Sequence, residues 1–267
     1  MLKFFSRKQL YDPDRVKTKN RNINYNINKF IAEFKGDILP REIHLKPEIL
    51  IPCFNQGSYL KNALFSVCKS SIETTVINDA STDDTPNYIE ELKKEFKFKL
   101  IQNSVNLNQT GSLNKAIECS TNNLFIVINA DDVLLRYTLR TILDLFKRDE
   151  SIVMVGGGSI CFSDEDTLRL NDCFPDNLSY KIHYRIYGPD QAKKYINPND
   201  INMTMSSCSF LKSAWQTVGG FKEFKYRVCS HDDRDFQMRI SAFFNVAVID
   251  EPLAFYRVNS SVRKGQL

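Results

Sequence analysis

The sequence predicts an α/β fold, a mainly parallel sheet with helices on both faces. Two observations carry this. From Pro47 onward, short apolar segments rich in β-branched residues alternate with amphipathic ones. Three of the apolar segments end in amide or acid side chains, where open parallel sheets bind their ligands. The 267-residue length suits one large domain whose core needs no disulfide or metal staple.

The elements follow in order. EILIPCF (48–54) is a short apolar run closed by Asn-Gln-Gly, hence a buried strand and a turn. SYLKNALFSVCKS (58–70) sets Leu60, Leu64, Val67 and Cys68 near one helical face. TTVIND (74–79) is a β-branched strand. TPNYIEELKKEF (85–96) opens Thr-Pro, the preference for a helix N-cap and first turn, with Asp83 and Asp84 as further capping groups. FKLIQN (98–103) is a strand, TGSLNKAIECS (110–120) a helix and NLFIVINA (123–130) a strand. YTLRTILDLFKR (137–148) is a helix and SIVMVGG (151–157) a strand. Residues 158–230 are less regular; a helix over 231–244 and a strand over 245–258 close the pattern.

Charge divides along the chain. The net value is +4, too weakly basic for a nucleic-acid binder. Residues 1–35 carry nine Lys/Arg against three Asp/Glu, so the basic excess belongs to an N-terminal arm and the remainder is close to −2. The expected organisation is an arm over 1–45, a first half over 46–155 and a second over 156–267. MLKFFSRKQLY suggests a short helix with Leu2 and Phe5 aligned beside basic residues, a candidate contact with an anionic membrane surface. No signal-peptide core and no apolar run near the ~18 residues of a membrane span is present, so a cytoplasmic location is expected. Seven widely spaced cysteines without a C-x-x-C read as reduced thiols.

The strand endings hold the chemistry. They are Asn55, then Asn78-Asp79, then Asn129-Ala130-Asp131-Asp132. Adjacent carboxylates after an apolar strand repel each other unless a cation lies between them. Hard cations such as Mg²⁺ or Mn²⁺ take oxygen ligands and bridge carboxylates to phosphates. Asp131 and Asp132 thus point to a metal–diphosphate site. Neither a G-x-G-x-x-G nor a P-loop is present, which disfavours dehydrogenases and P-loop NTPases.

EILIPCFNQGSYLKNALFSV, TTVINDASTDDT, NSVNLNQTGSLNKAI and FIVINADD, in that order, resemble the nucleotide-sugar half of family 2 glycosyltransferases with the GT-A fold. VGGFKEF (218–224) and HDDRDFQMRI (231–240) extend the resemblance to about 258. It implies that Pro52, Phe54, Asn55 and Asp79 hold base and ribose, the Asp79 carboxylate accepting an imide N–H. Asn108 and Ser112 would line the same pocket. The family's D-x-D reads Asn129-Ala130-Asp131 here, which assigns Asn129 and Ala130 to the nucleotide and Asp131, with Asp132, to Mn²⁺ or Mg²⁺. DDRD (232–235) matches the family's E-D-x-D, with Asp233 as catalytic base and Asp232 beside it. Asp235 is spaced to pair with Arg239. Trp215, Phe221 and His231 would wall the acceptor pocket. Asn259 stands where the family often has a His, and Arg257 is a candidate for the phosphates. His44 and His183 read as structural.

The implied activity is inverting transfer of a sugar from a nucleoside-diphosphate donor, expected to be UDP-linked. The acceptor would be a hydroxyl of a glycan or lipid-linked saccharide, in bacterial surface polysaccharide synthesis. Two rivals remain. A nucleotidyltransferase would want a Gly-rich basic loop after the first strand, which IPCFNQGS lacks. A non-catalytic sugar-nucleotide-binding relative would tend to lose carboxylates such as Asp131 and Asp233.

Overall fold

The computed structural model describes residues 25–163, 182–189, 203–229 and 231–258. The expected strand–helix alternation is present. β1 (Pro47–Cys53), β2 (Glu73–Asn78), β3 (Lys99–Gln102) and β4 (Leu124–Val127) form a parallel block in the order β3-β2-β1-β4. The link helices are α2 (Gly57–Val67), α3 (Thr85–Leu92) and α4 (Asn108–Cys119); the preceding residues 25–33 form α1. β1 to β2 and β2 to β3 step one way across the sheet, and β3 to β4 steps back. Right-handed crossovers therefore put α2 and α3 on one face and α4 on the other. β1 is apolar almost throughout because helices cover both its faces. All strand carboxyl ends of this block open on one edge.

The second half departs from a parallel plan. β8 (Ser209–Leu211) runs antiparallel between β4 and β6 (Ile152–Phe162). β9 (Asn245–Arg257) lies parallel to β6. Its other edge takes β7 (Tyr184–Tyr187) and then β5 (Val133–Leu134), both antiparallel. Pro252 sits between those two pairings, where its missing N–H costs no ladder bond. β6 continues past the expected end at 157 because residues 159–162 pair with 254–257 of β9, and Gly156 and Gly157 let Met203 and Leu253 approach the strand: a Cβ at Gly156 would lie 2.5 Å from Met203 Sδ. The short β5 and β8 lack the length in which a period could be read.

The helices α5 (Thr138–Arg148), α6 (Lys212–Thr217) and α7 (Asp232–Ser241) complete the domain. Two local expectations change. α3 has its N-cap at Asp84, one residue earlier than expected, and the Thr85 N–H is instead taken by Asp83 Oδ1 at 3.0 Å. Cys68 is exposed, and Ala63 joins Leu60, Leu64 and Val67 on the buried face of α2.

Residues 25–46 run as a strap along the body. Ile27 is buried, and Phe30 and Phe34 pack on Phe243 at 5.7 and 4.4 Å. Arg41 donates to the carbonyls of Phe146, Asp149 and Ile152, capping the C-terminus of α5 with a cation. The Glu42 carboxylate accepts from Ser213 N and Oγ. The 1–11 segment with its candidate membrane helix lies outside the described residues. Among the described residues no helix is long and apolar enough to cross a membrane.

Candidate active site

The carboxyl ends of β1, β2 and β4 bring the first group of expected residues to one edge. Asp79 is buried just past β2. Its Oδ1 accepts from Asn103 Nδ2 at 2.9 Å and from Leu107 N at 2.8 Å. Its other oxygen has no hydrogen bond among the described residues, and so can still accept a donor from a ligand. Asn103 is held in turn by Ser112 and Lys115, at 2.8 Å each. Ser112 is wholly buried, and reaches the site through Asn103 instead of lining it. Asn108 is exposed with φ 59, at the first residue of α4. Asn55, also left-handed at φ 54, clamps the β1 end to the neighbouring loop: its side chain bonds Thr82 and Asp83, and its N–H donates to Ser81. Pro52 is buried in β1 and Phe54 is half-buried beside it. A Cβ at Gly57 would meet Thr85 Cα at 2.6 Å, so that glycine lets α2 and α3 start side by side behind this loop.

The β4 end holds the second group. Asn129 donates to Asp132 Oδ2 at 3.1 Å, accepts from Gln109 Nε2, and gives its N–H to Ser206 Oγ. Ala130 is fully buried, so only its backbone is on offer. Asp132, expected as a metal ligand with Asp131, has its carboxylate occupied by protein donors: Ser206 Oγ, Asn129 Nδ2 and Arg257 N. Asp131 is the opposite. It is 1 % exposed, and neither carboxylate oxygen has a hydrogen-bond partner among the described residues. Burying an ionised carboxylate unpaired is costly, so such a group is kept for a cation or a strong donor. A divalent cation fits it chemically. Among the described residues no cluster of three or more His, Cys, Asp or Glu is present, so a cation there would share Asp131 with ligand oxygens. Cys53 lies nearby; burial pushes its thiol up to about 12, with Asp83 and Asp131 adding to the effect, which keeps it protonated and unreactive at neutral pH.

β9 delivers Arg257 to the same place. Its guanidinium lies between the rings of Tyr59 and Phe162, at 4.5 and 4.3 Å, and its Nε donates to the Asp131 carbonyl at 3.0 Å. This fixes the Asp131 backbone from behind.

α7 carries the acids of the second half. Asp235 and Arg239 form the expected pair, fully buried at 2.8 Å, and Asp235 also accepts from Val228 N. Asp232 pairs with Arg227 at 2.8 Å. Asp233 accepts only from Arg234 N among the described residues, which leaves one oxygen open at the helix N-terminus. His231, exposed, is the N-cap residue of α7.

The expected acceptor residues separate. Phe221 is not a pocket wall but core: it packs on Phe236 at 4.1 Å and Phe210 at 5.9 Å. Trp215 is half-buried and donates to Asn114 Oδ1 at 3.0 Å. Asn114 also brackets Phe221, taking its N–H and giving to its carbonyl, so it clasps α4 to the turn made by Gly219 (φ 72) and Gly220 (φ 67). His44 is exposed, His183 pairs with Glu251, and Asn259 lies outside the described residues. Sequence reasoning missed Asn103, Lys115, Asn114, Ser206 and Ser207. Asn114 and Ser206 bond residues 74 to 107 positions away, Ser207 buries a hydroxyl with no partner among the described residues, and only the Asn-rich run 103–108 hinted at Asn103.

A groove of about 660 Å³ lies elsewhere, between residues 41–47 and α5. It sits by the start of β1, away from the strand-end acids, so donor chemistry and not volume marks the candidate site.

Comparisons with known proteins agree with the fold. The profile of glycosyl transferase family 2 matches residues 48–217. An uncharacterised glycosyltransferase of Haemophilus influenzae is 28% identical over 112 residues, 40% of this chain and 35% of that protein. The poly-beta-1,6-N-acetyl-D-glucosamine synthase of Staphylococcus epidermidis is 27% identical over 136 residues, 48% of this chain and 33% of that protein. The chain thus matches about a third of the length of these relatives. Among solved structures, S. aureus TarS 1–349 in complex with UDP-GlcNAc superposes with TM-score 0.60 at 14% identity, over 81% of this chain and 59% of that one. The mannosyltransferase PcManGT of Pyrobaculum calidifontis, in complex with GDP-Man and Mn²⁺, gives 0.54 at 16%, over 88% and 63%. The shared fold is that of a single GT-A domain.

Proposed function

The chain belongs to glycosyl transferase family 2, and on that premise we propose that it moves a sugar from a nucleoside-diphosphate donor to an acceptor hydroxyl. The donor is UDP-linked and the acceptor a glycan or lipid-linked saccharide. The observation that carries the reading is the buried Asp131 carboxylate with both oxygens unpartnered, at the strand edge that also carries Asp79. The site residues act as follows. Asp79, held by Asn103 and Leu107, offers an oxygen to a base N–H. Asp233 takes the proton of the acceptor hydroxyl as that oxygen attacks the anomeric carbon. The nucleoside diphosphate leaves from the opposite side, so the anomeric configuration inverts. Mn²⁺ or Mg²⁺, held by Asp131 and the donor diphosphate, would supply neutralisation of the leaving charge. Arg257 keeps Asp131 in place.

The similarity to a poly-beta-1,6-N-acetyl-D-glucosamine synthase supports surface-polysaccharide synthesis as the setting. The test is release from a panel of UDP-sugars, with and without Mn²⁺. UDP release that grows with a saccharide acceptor is the expected result. Pyrophosphate release from UTP and a sugar 1-phosphate, with no UDP released from UDP-sugars, would instead make the protein a nucleotidyltransferase, and UDP-sugar binding without release of either product would make it a non-catalytic relative.

A further inference from the structure

Two side chains among the described residues bury polar atoms without a partner. One is Asp131; the other is Ser207. Ser207 is 0 % exposed and adopts φ 89, a left-handed backbone that favours glycine. A glycine there would avoid both the strain and the unsatisfied hydroxyl, so a serine at this position needs another reason.

Its neighbours suggest one. Ser207 N donates to Val127 O at 2.8 Å, which seats the residue against the end of β4. Just before it, Ser206 Oγ ties to Asn129 N and to Asp132, flanking Asp131. Just after it, the Cys208 thiol is pushed up by burial and further by the charge of Asp233. Gln237 of α7 donates to Met203 O at 3.0 Å, so the helix that carries Asp233 is bonded to the same 203–208 turn. Ser207 therefore lies on the short link between the unpaired carboxylate at the β4 end and the open carboxylate of α7. In an in-line displacement the transferred sugar must lie between the leaving diphosphate and the base.

We propose that the Ser207 hydroxyl hydrogen-bonds the transferred sugar and reads one of its polar substituents. This rests on the glycosyl-transfer reading above. A sugar contact predicts loss for the sugar nucleotide and none for the nucleotide alone.

Calorimetric titration of UDP, and of whichever UDP-sugar turns over fastest in the panel (starting with UDP-N-acetylglucosamine), tests this in wild type, Ser207→Ala and Ser207→Gly. Both variants should bind the UDP-sugar about five- to tenfold more weakly, the scale of one neutral hydrogen bond. UDP affinity should stay within about twofold, and Ser207→Gly should melt no lower than wild type. Unchanged UDP-sugar affinity in both variants, or a parallel loss of UDP affinity, overturns the assignment while leaving the function intact. A wild type that binds neither UDP nor any UDP-sugar overturns the function and the assignment together.

Discussion

Asp131 and Asp132 are neighbours in sequence with opposite physical situations. Asp132 is satisfied by Ser206, Asn129 and the backbone of Arg257, and so holds the site together. Asp131 is buried and unsatisfied, which costs folding free energy until something binds it. Their alanine variants should therefore move stability in opposite directions when neither nucleotide nor metal is present. Asp131→Ala should raise the unfolding free energy by about 1–3 kcal/mol, and Asp132→Ala should lower it by about as much or more. Thermal melts read this as shifts of several degrees of opposite sign, at roughly 2–4 °C per kcal/mol for a chain of this size. A drop in both would mean that Asp131 has a structural partner after all. The acids themselves were legible in the sequence, since an apolar strand ending in N-A-D-D is conspicuous. Their division of labour was not, because the deciding partners Ser206 and Arg257 lie 74 and 125 residues from Asp132.

At the scale of elements, the parallel block and its helices follow from hydrophobic patterning, and the strand ends then put Asp79 and Asp131 on one edge. β8 and β5, three and two residues long, leave no such pattern, yet β8 joins the two halves of the sheet. Phe221 illustrates the same limit: an aromatic in a V-G-G-F motif looks alike whether it walls a pocket or fills a core. Here Asn114, 107 residues away, pins its backbone while its ring meets Phe210 and Phe236. α7 was legible as an element, and its acids sort by contact. Asp235 and Asp232 are ion-paired, which leaves Asp233 for chemistry. Asp233→Asn should lower transfer by about 100-fold or more, as expected for a lost general base. UDP affinity should stay within about twofold, because the residues proposed to hold the nucleotide lie at the strand ends and not on α7. Turnover near wild type in a UDP-release assay would remove Asp233 from the mechanism.

For the molecule as a whole, the +4 net charge averages unlike parts. Part of the basic N-terminal region is a strap: residues 25–46 cap α5 through Arg41 and bind α6 through Glu42. Composition alone gave no sign of that, since both contacts are more than 100 residues distant in sequence. The strap also defines a clean membrane test. A chain starting at Tyr25 keeps the strap contacts made among the described residues while losing the basic residues before it. The 267-residue chain should co-sediment with anionic liposomes more than this shortened one, by about 1 kcal/mol for each basic residue at the surface. Equal sedimentation would assign no membrane role to that segment.

One titration decides whether Asp131 holds the donor diphosphate through a divalent cation. UDP is titrated into wild type and Asp131→Ala, each with and without Mn²⁺. Mn²⁺ should tighten UDP binding to wild type by about tenfold or more, a difference of roughly 1.4 kcal/mol, and should do nothing for Asp131→Ala. Equal affinities for the two proteins in the presence of Mn²⁺ would remove Asp131 from the metal site.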